Sequence, residues 1–222
     1  MSARRAGTIL AAVLVLGGGV AIGLYVALFL EASPPPVQAA IVGPHQAALE
    51  LQTVAEVGHG ENPNWVSYYS RTPGHKWVHS TILRVPAHAL VHVTIYQYDS
   101  ATGLRNPIWG QPRGLVGNVM FVNGVPVKVL KPELTSHTFA IPELGVSVPL
   151  PGVSEEAKNT CSYAPCTLAE AHNTITFTFR TYGPHKYRWQ CFVPCAAGFI
   201  FGFGGPMQSI GYMDGELEVQ GS

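Results

Sequence analysis

Charged residues are scarce in this sequence, and their signs are balanced. Only 12% of residues are charged, and the 13 Lys and Arg residues equal the 13 Asp and Glu residues. Nucleic-acid-binding surfaces need a basic excess, so a nucleic-acid partner is not expected. A nucleotide is not expected either, because the Gly-rich stretch FGFGGP (201–206) follows no strand-to-helix pattern. The sequence also gives no basis for a Ser-His-Asp or Cys-His catalytic arrangement.

Long amphipathic helices are missing beyond about residue 46. The 24 glycines and 18 prolines instead cut the chain into short alternating or β-branched runs. We predict strands in the segments 48–57, 77–86, 89–98, 118–130, 137–142, 144–150, 173–182, 186–191 and 213–219. Asn123-Gly124 is a strong signal for a two-residue hairpin turn. These strands, with turn signals every ~8–12 residues, predict an all-β, antiparallel Greek-key sandwich.

An uncharged, apolar run at residues 6–30 is the exception to this pattern. At about 1.5 Å per residue it is long enough to cross a hydrocarbon core of about 30 Å. A cleaved signal peptide is the alternative, although its apolar region usually has only ~7–15 residues. Arg4 and Arg5 precede the run, and positive charge stays on the cytoplasmic side. We therefore predict a single-pass cell-membrane anchor with its N-terminus in the cytoplasm and the remaining chain outside.

The sequence divides into three predicted regions. Residues 1–32 form a cytoplasmic tip and the anchor, residues 33–45 a Pro-rich tether, and residues 46–222 the outer domain. The tether prediction depends on the Ser-Pro-Pro-Pro run at 33–36, since such a run is extended and stiff. A disordered connector is the alternative for this segment.

Soft metal ligands are concentrated in two segments of the outer domain. They are His137 in the segment 136–152, and Cys191, Cys195 and Met207 in the segment 187–207. One imidazole, two thiolates and a thioether suit copper, or alternatively zinc. The two cysteines are predicted where a strand ends and a loop begins. A loop can direct both sulfurs toward one point, which an extended strand cannot do.

Each of these residues also has an ordinary structural interpretation. His137 alone is typical of a half-buried histidine, and Met207 alone is typical of a core residue. In an oxidising compartment, cysteines are first of all disulfide candidates. Cys191 and Cys195 therefore either bind copper as thiolates, form a disulfide or remain free thiols. Cys161 and Cys166 lie in a predicted loop, where we expect a local disulfide rather than a metal site.

At these residues the chain resembles the cupredoxins, and most closely the copper-A domain of cytochrome c oxidase subunit II. The family's His-x-Phe-x-x-Pro stretch is matched by His137, Phe139 and Pro142, and its Tyr-x-x-Gln-Cys-x-x-x-Cys run by residues 187–195. The resemblance covers residues 77–219. It implies a cupredoxin-like sandwich with a dinuclear copper centre. It also implies a membrane electron-transfer subunit, with oxidase subunits or a soluble redox protein as partners, rather than a stand-alone enzyme.

The sequence departs from the family pattern in two places. The family has a second His four residues after the second Cys and a Met three residues later, where this chain has Phe199 and Gly202. Met207 lies five residues beyond the expected position. Residues 99–135 form an insertion before the His segment, either as a decorated edge or as a partner-binding loop. The alternative to electron transfer is therefore a metal-free, disulfide-stabilised structural or assembly subunit of a respiratory complex.

Overall fold

The computed structural model describes residues 3–26, 34–55, 65–195 and 205–221. The chain divides into two compact units, residues 1–33 and residues 34–222. The first unit contains helix α1 (Ala3–Tyr25), whose Gly7–Tyr25 part is apolar and exposed along its length. By length and composition, this helix is a candidate membrane span or signal sequence.

The second unit contains fourteen strands within the described residues, arranged in two sheets. The strands are β1 (Val37–Gln38), β2 (Ala40–Gly43), β3 (Gln46–Val54), β4 (Ser67–Arg71), β5 (Trp77–Val78), β6 (Ile82–Pro86), β7 (Leu90–Gln97), β8 (Met120–Val122), β9 (Val125–Val127), β10 (Thr135–Ile141), β11 (Val146–Pro151), β12 (Asn173–Arg180), β13 (His185–Gln190) and β14 (Asp214–Gln220). Short 3-10 helices span Pro107–Gly110, Val116–Asn118, Pro132–Leu134, Pro142–Leu144 and Pro206–Gln208.

The strand order explains how distant segments of the chain meet. The first sheet has the order β1-β6-β14-β13-β10-β11, and the second has the order β5-β4-β3-β7-β12-β8-β9, with β2 paired to β3. The pairs β1–β6, β6–β14 and β3–β7 are parallel. Both sheets are therefore mixed rather than purely antiparallel, because these strands are joined by long connections and not by hairpins.

Alternating side chains explain why the two sheets pack face to face. In β12, Ile175, Phe177 and Phe179 are buried, while the threonines between them are half-buried. The core joins both sheets through aromatic contacts. The Phe139 ring centroid lies 4.9 Å from that of Trp189 in its own sheet and 5.6 Å from that of Phe177 in the other. Burial of these large rings helps to stabilise the sandwich.

The predicted all-β sandwich with one N-terminal helix is confirmed. The Asn123-Gly124 hairpin is also confirmed. Both residues have positive φ, and the turn connects β8 to β9 in an antiparallel pair.

The sandwich begins earlier in the chain than the sequence predicted. β1 and β2 lie within residues 33–45, the segment assigned to a tether. Val37 and Ala39 are buried, β1 pairs with β6, and β2 pairs with β3. Pairing of β1 with a strand distant in sequence, and of β2 with the adjacent β3, orders this segment, and a Pro-rich composition carries no signal of such pairing.

A close approach between strands requires glycine at position 215 in β14. An added Cβ there would overlap the Thr81 carbonyl oxygen and lie 2.7 Å from Trp189 Nε1. We expect Gly215→Ala to lower the free energy of unfolding by about 1–3 kcal/mol, because the core must shift to admit the methyl group. Urea denaturation of the detergent-solubilised chain measures this change.

Gly183→Ala is the matched control, because its added Cβ would have no atom within 4 Å. Its free energy of unfolding should stay within about 0.5 kcal/mol of the native value. Equal unfolding midpoints for the two variants would show that position 215 tolerates a side chain.

Candidate metal centre

One end of the sandwich brings together β10 and the loop that follows β13. β10 and β13 are antiparallel neighbours, with Ala140 opposite Gln190. Residues before Ala140 therefore lie beside residues after Gln190. This register places His137 of β10 next to the loop that carries Cys191 and Cys195.

The donor atoms of these three residues form one compact cluster, all within 4.8 Å of one another. His137 Nδ1 lies 2.9 Å from Cys195 Sγ and 3.9 Å from Cys191 Sγ, and the two sulfurs are 3.3 Å apart. A disulfide bond would place the sulfurs about 2.05 Å apart, so both cysteines are free thiols. Only 2% of His137, 0% of Cys191 and 6% of Cys195 is exposed.

A tight turn after β13 directs both sulfurs toward the same point. The Cys191 N–H donates to the Met213 carbonyl at 2.8 Å, which ties the turn to the start of β14. The Cys195 N–H donates to the Val193 carbonyl at 2.7 Å, which closes the turn. Residues four apart on an extended strand would be about 13 Å apart.

Met207 also lies at this end of the sandwich. Its sulfur accepts a hydrogen bond from the Cys195 N–H at 3.3 Å, and its side chain packs against the core. The Met213 N–H donates to the Pro206 carbonyl at 3.0 Å, which fixes the segment that carries Met207. The structure therefore brings all four predicted ligand residues together.

A second imidazole is absent from the donor cluster that the described residues form. His185 instead lies 3.4 Å from a carboxylate oxygen of Glu143. His92 hydrogen bonds through its ring to the side chains of Thr178 and Gln46. The positions where the family has its second His and its Met, 199 and 202, lie outside the described ranges.

Asp99 is a site residue that the sequence analysis missed. It lies two residues beyond the end of β7, and its Oδ2 accepts a hydrogen bond from His137 Nε2 at 2.9 Å. No local motif links residues so distant in sequence. The only available signal was a carboxylate at the end of the strand predicted over 89–98.

Polar groups from β10 surround the Cys191 sulfur. The Thr138 N–H donates to Cys191 Sγ at 3.3 Å, and Thr138 Oγ1 lies 3.8 Å from it. Thr138 Oγ1 also accepts a hydrogen bond from the Phe192 N–H at 2.8 Å. The Thr138 carbonyl in turn accepts a hydrogen bond from the Tyr68 hydroxyl at 3.1 Å. An N–H donor stabilises negative charge on a sulfur atom.

The two cysteines differ in their ionisation. Burial tends to raise the pKa of Cys191, but hydrogen bonds with Cys195 and His137 outweigh burial and hold that pKa well below its usual value. The hydrogen bond with Cys191 and burial both raise the pKa of Cys195. The cluster therefore favours a thiolate at Cys191 and a thiol at Cys195.

His137 and Asp99 carry opposite charges beside this pair. Burial opposes the charged imidazole, but hydrogen bonds with Asp99 and Cys191 outweigh it and raise the pKa of His137 to about 9. Burial likewise opposes the Asp99 carboxylate, but its hydrogen bond with His137 lowers the pKa of Asp99 overall. Cys195 Sγ is the nearer sulfur to His137 Nδ1, whereas Cys191 is the cysteine whose pKa is lowered.

Cys161 and Cys166 lie in the connection between β11 and β12. They form a disulfide with Cα atoms 5.7 Å apart. The Cys166 N–H donates to Gln52 Oε1 at 2.6 Å, which attaches the connection to β3. This disulfide uses neither of the cysteines in the donor cluster.

Comparison with known proteins gives matches among solved structures. No protein-family model and no curated protein matches the chain. Variants of rusticyanin match with 14% identity over 90% of this chain and 94% of theirs, at a TM-score of 0.36. Rusticyanin from Thiobacillus ferrooxidans matches with 13% identity over 87% of this chain and 90% of its own, at a TM-score of 0.36. A heme-copper terminal oxidase dimer contains a chain that matches with 12% identity over 99% of this chain and 100% of its own, at a TM-score of 0.30.

The chain itself has a mainly β fold, a sandwich of two mixed sheets with the His–Cys–Cys cluster at one end.

Thr138→Val should weaken the turn that carries the cysteines. The variant keeps the side-chain shape but removes the acceptor of the Phe192 N–H. We expect the free energy of unfolding to fall by about 1 kcal/mol, the usual net contribution of such a hydrogen bond. Thermal unfolding of the detergent-solubilised chain is the measurement.

Thr176→Val in β12 is the control, because no side-chain hydrogen bond of Thr176 is present within the described part of the chain. Its unfolding temperature should be close to the native one. A Thr138→Val variant that unfolds at the same temperature as this control would contradict the role assigned to Oγ1.

Proposed function

We propose that this chain is a membrane-anchored, copper-binding electron-transfer protein whose sandwich domain lies outside the cytoplasm. The single observation that carries the proposal is the buried cluster of His137, Cys191 and Cys195, with donor atoms within 4.8 Å of one another. Sulfur and imidazole donors are the ligands that copper prefers in electron-transfer sites. Hydrophobic packing does not require two ionisable sulfurs in contact beside an imidazole.

The residues divide into strong and weak donors. His137 would bind through Nδ1, the ring nitrogen that faces the sulfurs, and Cys191 and Cys195 would bind through Sγ. The Met207 thioether, whose sulfur accepts a hydrogen bond from the Cys195 N–H, is the weaker donor because it is uncharged. Zinc accepts the same atoms, but a thioether in the donor set favours copper.

The chain's own residues prepare this site for electron transfer. Bound copper would supply a one-electron redox couple. The sandwich excludes water from the three donors, and the N–H of Thr138 stabilises charge on Cys191. The paired strands and the closed turn hold the donors in fixed positions. Little reorganisation is then needed when the charge of the centre changes.

Two features of the chain, its N-terminal helix and its disulfide, support the proposed location. Helix α1 has the length and composition of a membrane span, and Arg4 and Arg5 precede its apolar part. The Cys161–Cys166 disulfide supports an oxidising compartment for the sandwich domain. The proposed partners are a membrane respiratory complex, such as an oxidase, or a soluble redox protein. The match of residues 187–195 to the oxidase subunit pattern supports this choice.

A metal-free structural subunit of a respiratory complex is the second candidate. The observation that favours it is the absence of a second imidazole from the donor cluster in the described part of the chain. Copper content separates the two candidates, and one or two ions per chain would distinguish a mononuclear from a dinuclear centre.

Copper loading is the first experiment. The full chain in detergent is given copper under mild reductant and is then oxidised. We expect bound copper with intense thiolate-to-copper absorption, and we expect Cys191→Ser and Cys195→Ser to lose that absorption because each removes a sulfur donor. Metal analysis and visible spectroscopy are the measurements.

The matched control replaces the other cysteine pair. Cys161→Ser with Cys166→Ser removes the same number of sulfur atoms away from the cluster and should retain the absorption. A colourless, copper-free native chain would instead support the metal-free subunit.

Met207→Leu tests the weaker donor. We expect the variant to bind copper but to have a higher reduction potential and a shifted visible spectrum, because loss of a donor destabilises the oxidised ion more. Met120→Leu, a buried methionine in β8, is the control and should leave both properties unchanged. A native potential and spectrum for Met207→Leu would show that Met207 is only a packing residue.

A further inference from the structure

The carboxylate of Asp99 contacts the outer ring nitrogen of His137, opposite the sulfurs. We propose that Asp99 is a positioning residue, which fixes the His137 ring and strengthens it as a copper ligand. We further infer that the two ends of the insertion 99–135 are held together beside this contact. The inference rests on the proposed copper-binding function and adds a residue outside the four predicted ligands.

The contact fixes the ring from both sides. His137 Nε2–H donates to Asp99 Oδ2 at 2.9 Å, while Nδ1 lies 2.9 Å from Cys195 Sγ. The ring is almost fully buried, so it cannot turn without losing both interactions. A carboxylate on the outer nitrogen leaves the inner nitrogen directed at the sulfurs and raises its donor strength.

Asp99 is itself held in place before any metal binds. Its N–H donates to Gln97 Oε1, and Gln97 Nε2 donates to its carbonyl, both at 3.1 Å. The Val153 N–H donates to the same carbonyl at 2.8 Å, and the Ser100 N–H donates to Asp99 Oδ1 at 2.7 Å. Gln97 is fully buried and bonded to Thr53. The carboxylate is therefore preorganised, as a positioning group must be.

The insertion leaves and rejoins the sandwich at this same place. It begins at Asp99 after β7 and ends at Thr135, two residues before His137. The Thr102 N–H and Oγ1–H donate to the Thr135 carbonyl at 3.2 and 2.7 Å. The Thr135 hydroxyl donates to the Trp109 carbonyl at 3.0 Å. These bonds close the base of the insertion, and the Asp99–His137 contact joins that base to the donor cluster.

A ligand set with one imidazole depends strongly on the strength of that imidazole. The described donor cluster contains His137 and no second histidine. A hydrogen-bonded carboxylate increases electron density on the ring, which favours the oxidised, more highly charged ion. Asp99 therefore supports the chain's only described imidazole donor.

Two variants separate the charge of Asp99 from its hydrogen bond. Asp99→Asn keeps an acceptor oxygen but removes the charge, and Asp99→Ala removes both. Asp214→Asn is the matched control, because Asp214 is a buried carboxylate that pairs with Arg188 rather than with a donor residue. For each full chain in detergent we would measure copper affinity by chelator competition and the reduction potential. In the metal-free ¹⁵N-histidine-labelled chain we would measure the His137 Nε2–H proton resonance.

We expect Asp99→Ala to weaken copper binding about 10–100-fold, and Asp99→Asn to have an intermediate effect. Both should raise the reduction potential, whereas Asp214→Asn should match the native chain. In the metal-free chain, a slowly exchanging Nε2–H resonance should be present in the native and Asp99→Asn proteins and lost in Asp99→Ala.

Native affinity and potential in Asp99→Ala would overturn the inference. A native chain that binds no copper would instead overturn the proposed function. In that case, loss of the Nε2–H resonance in Asp99→Ala would still support Asp99 as the residue that orients His137, and retention would overturn it. If Asp99→Ala does not fold, a native potential in Asp99→Asn would overturn the inference.

Discussion

The antiparallel pairing of β10 with β13 is the constraint on which the candidate centre depends. Ala140 lies opposite Gln190, so the residues before Ala140 lie beside the residues after Gln190. His137 and Cys191 are thereby placed in contact although they are 54 positions apart in sequence. Thr138 connects the two segments through its N–H and hydroxyl. A register shift of one residue would turn His137 to the opposite face of the sheet and remove it from the cluster.

Burial makes the same cluster costly unless its charges are compensated. Cys191 is fully buried, and a buried thiolate is stable only when hydrogen-bond donors or cations surround it. Thr138 supplies the N–H, and the His137 ring supplies positive charge that Asp99 in turn balances. A chain that needed only packing would place apolar side chains here, since replacing buried ionic groups in this way is often neutral or stabilising. Packing alone therefore does not account for the four coupled polar groups of this buried cluster.

Local sequence signals predicted the elements, and contacts between distant segments account for what they missed. Alternation identified β12, and Asn123-Gly124 identified the β8–β9 turn, because both signals are contained in a few adjacent residues. Residue type and spacing also predicted the four candidate ligand residues, which the structure places at one end of the sandwich. Strands β1 and β4 and the proposed role of Asp99 have no such signal, whereas β2 pairs with the adjacent β3 and was missed because of the Pro-rich run before it. β1 is ordered by pairing with β6, and Asp99 acts on a residue 38 positions away.

The position of the cluster at the end of the strands explains how the ligand set can differ from the family pattern without loss of the fold. The aromatic core of Phe139, Trp189 and Phe177 lies between the sheets and requires no metal ligand. The donors lie in a turn and at a strand end, where substitutions alter chemistry more than packing. In the proposed copper site, the two sulfur donors would supply most of the charge compensation, although the donor cluster of the described residues has one imidazole fewer than the family pattern. The carboxylate of Asp99 would partly offset that difference by strengthening the imidazole of His137.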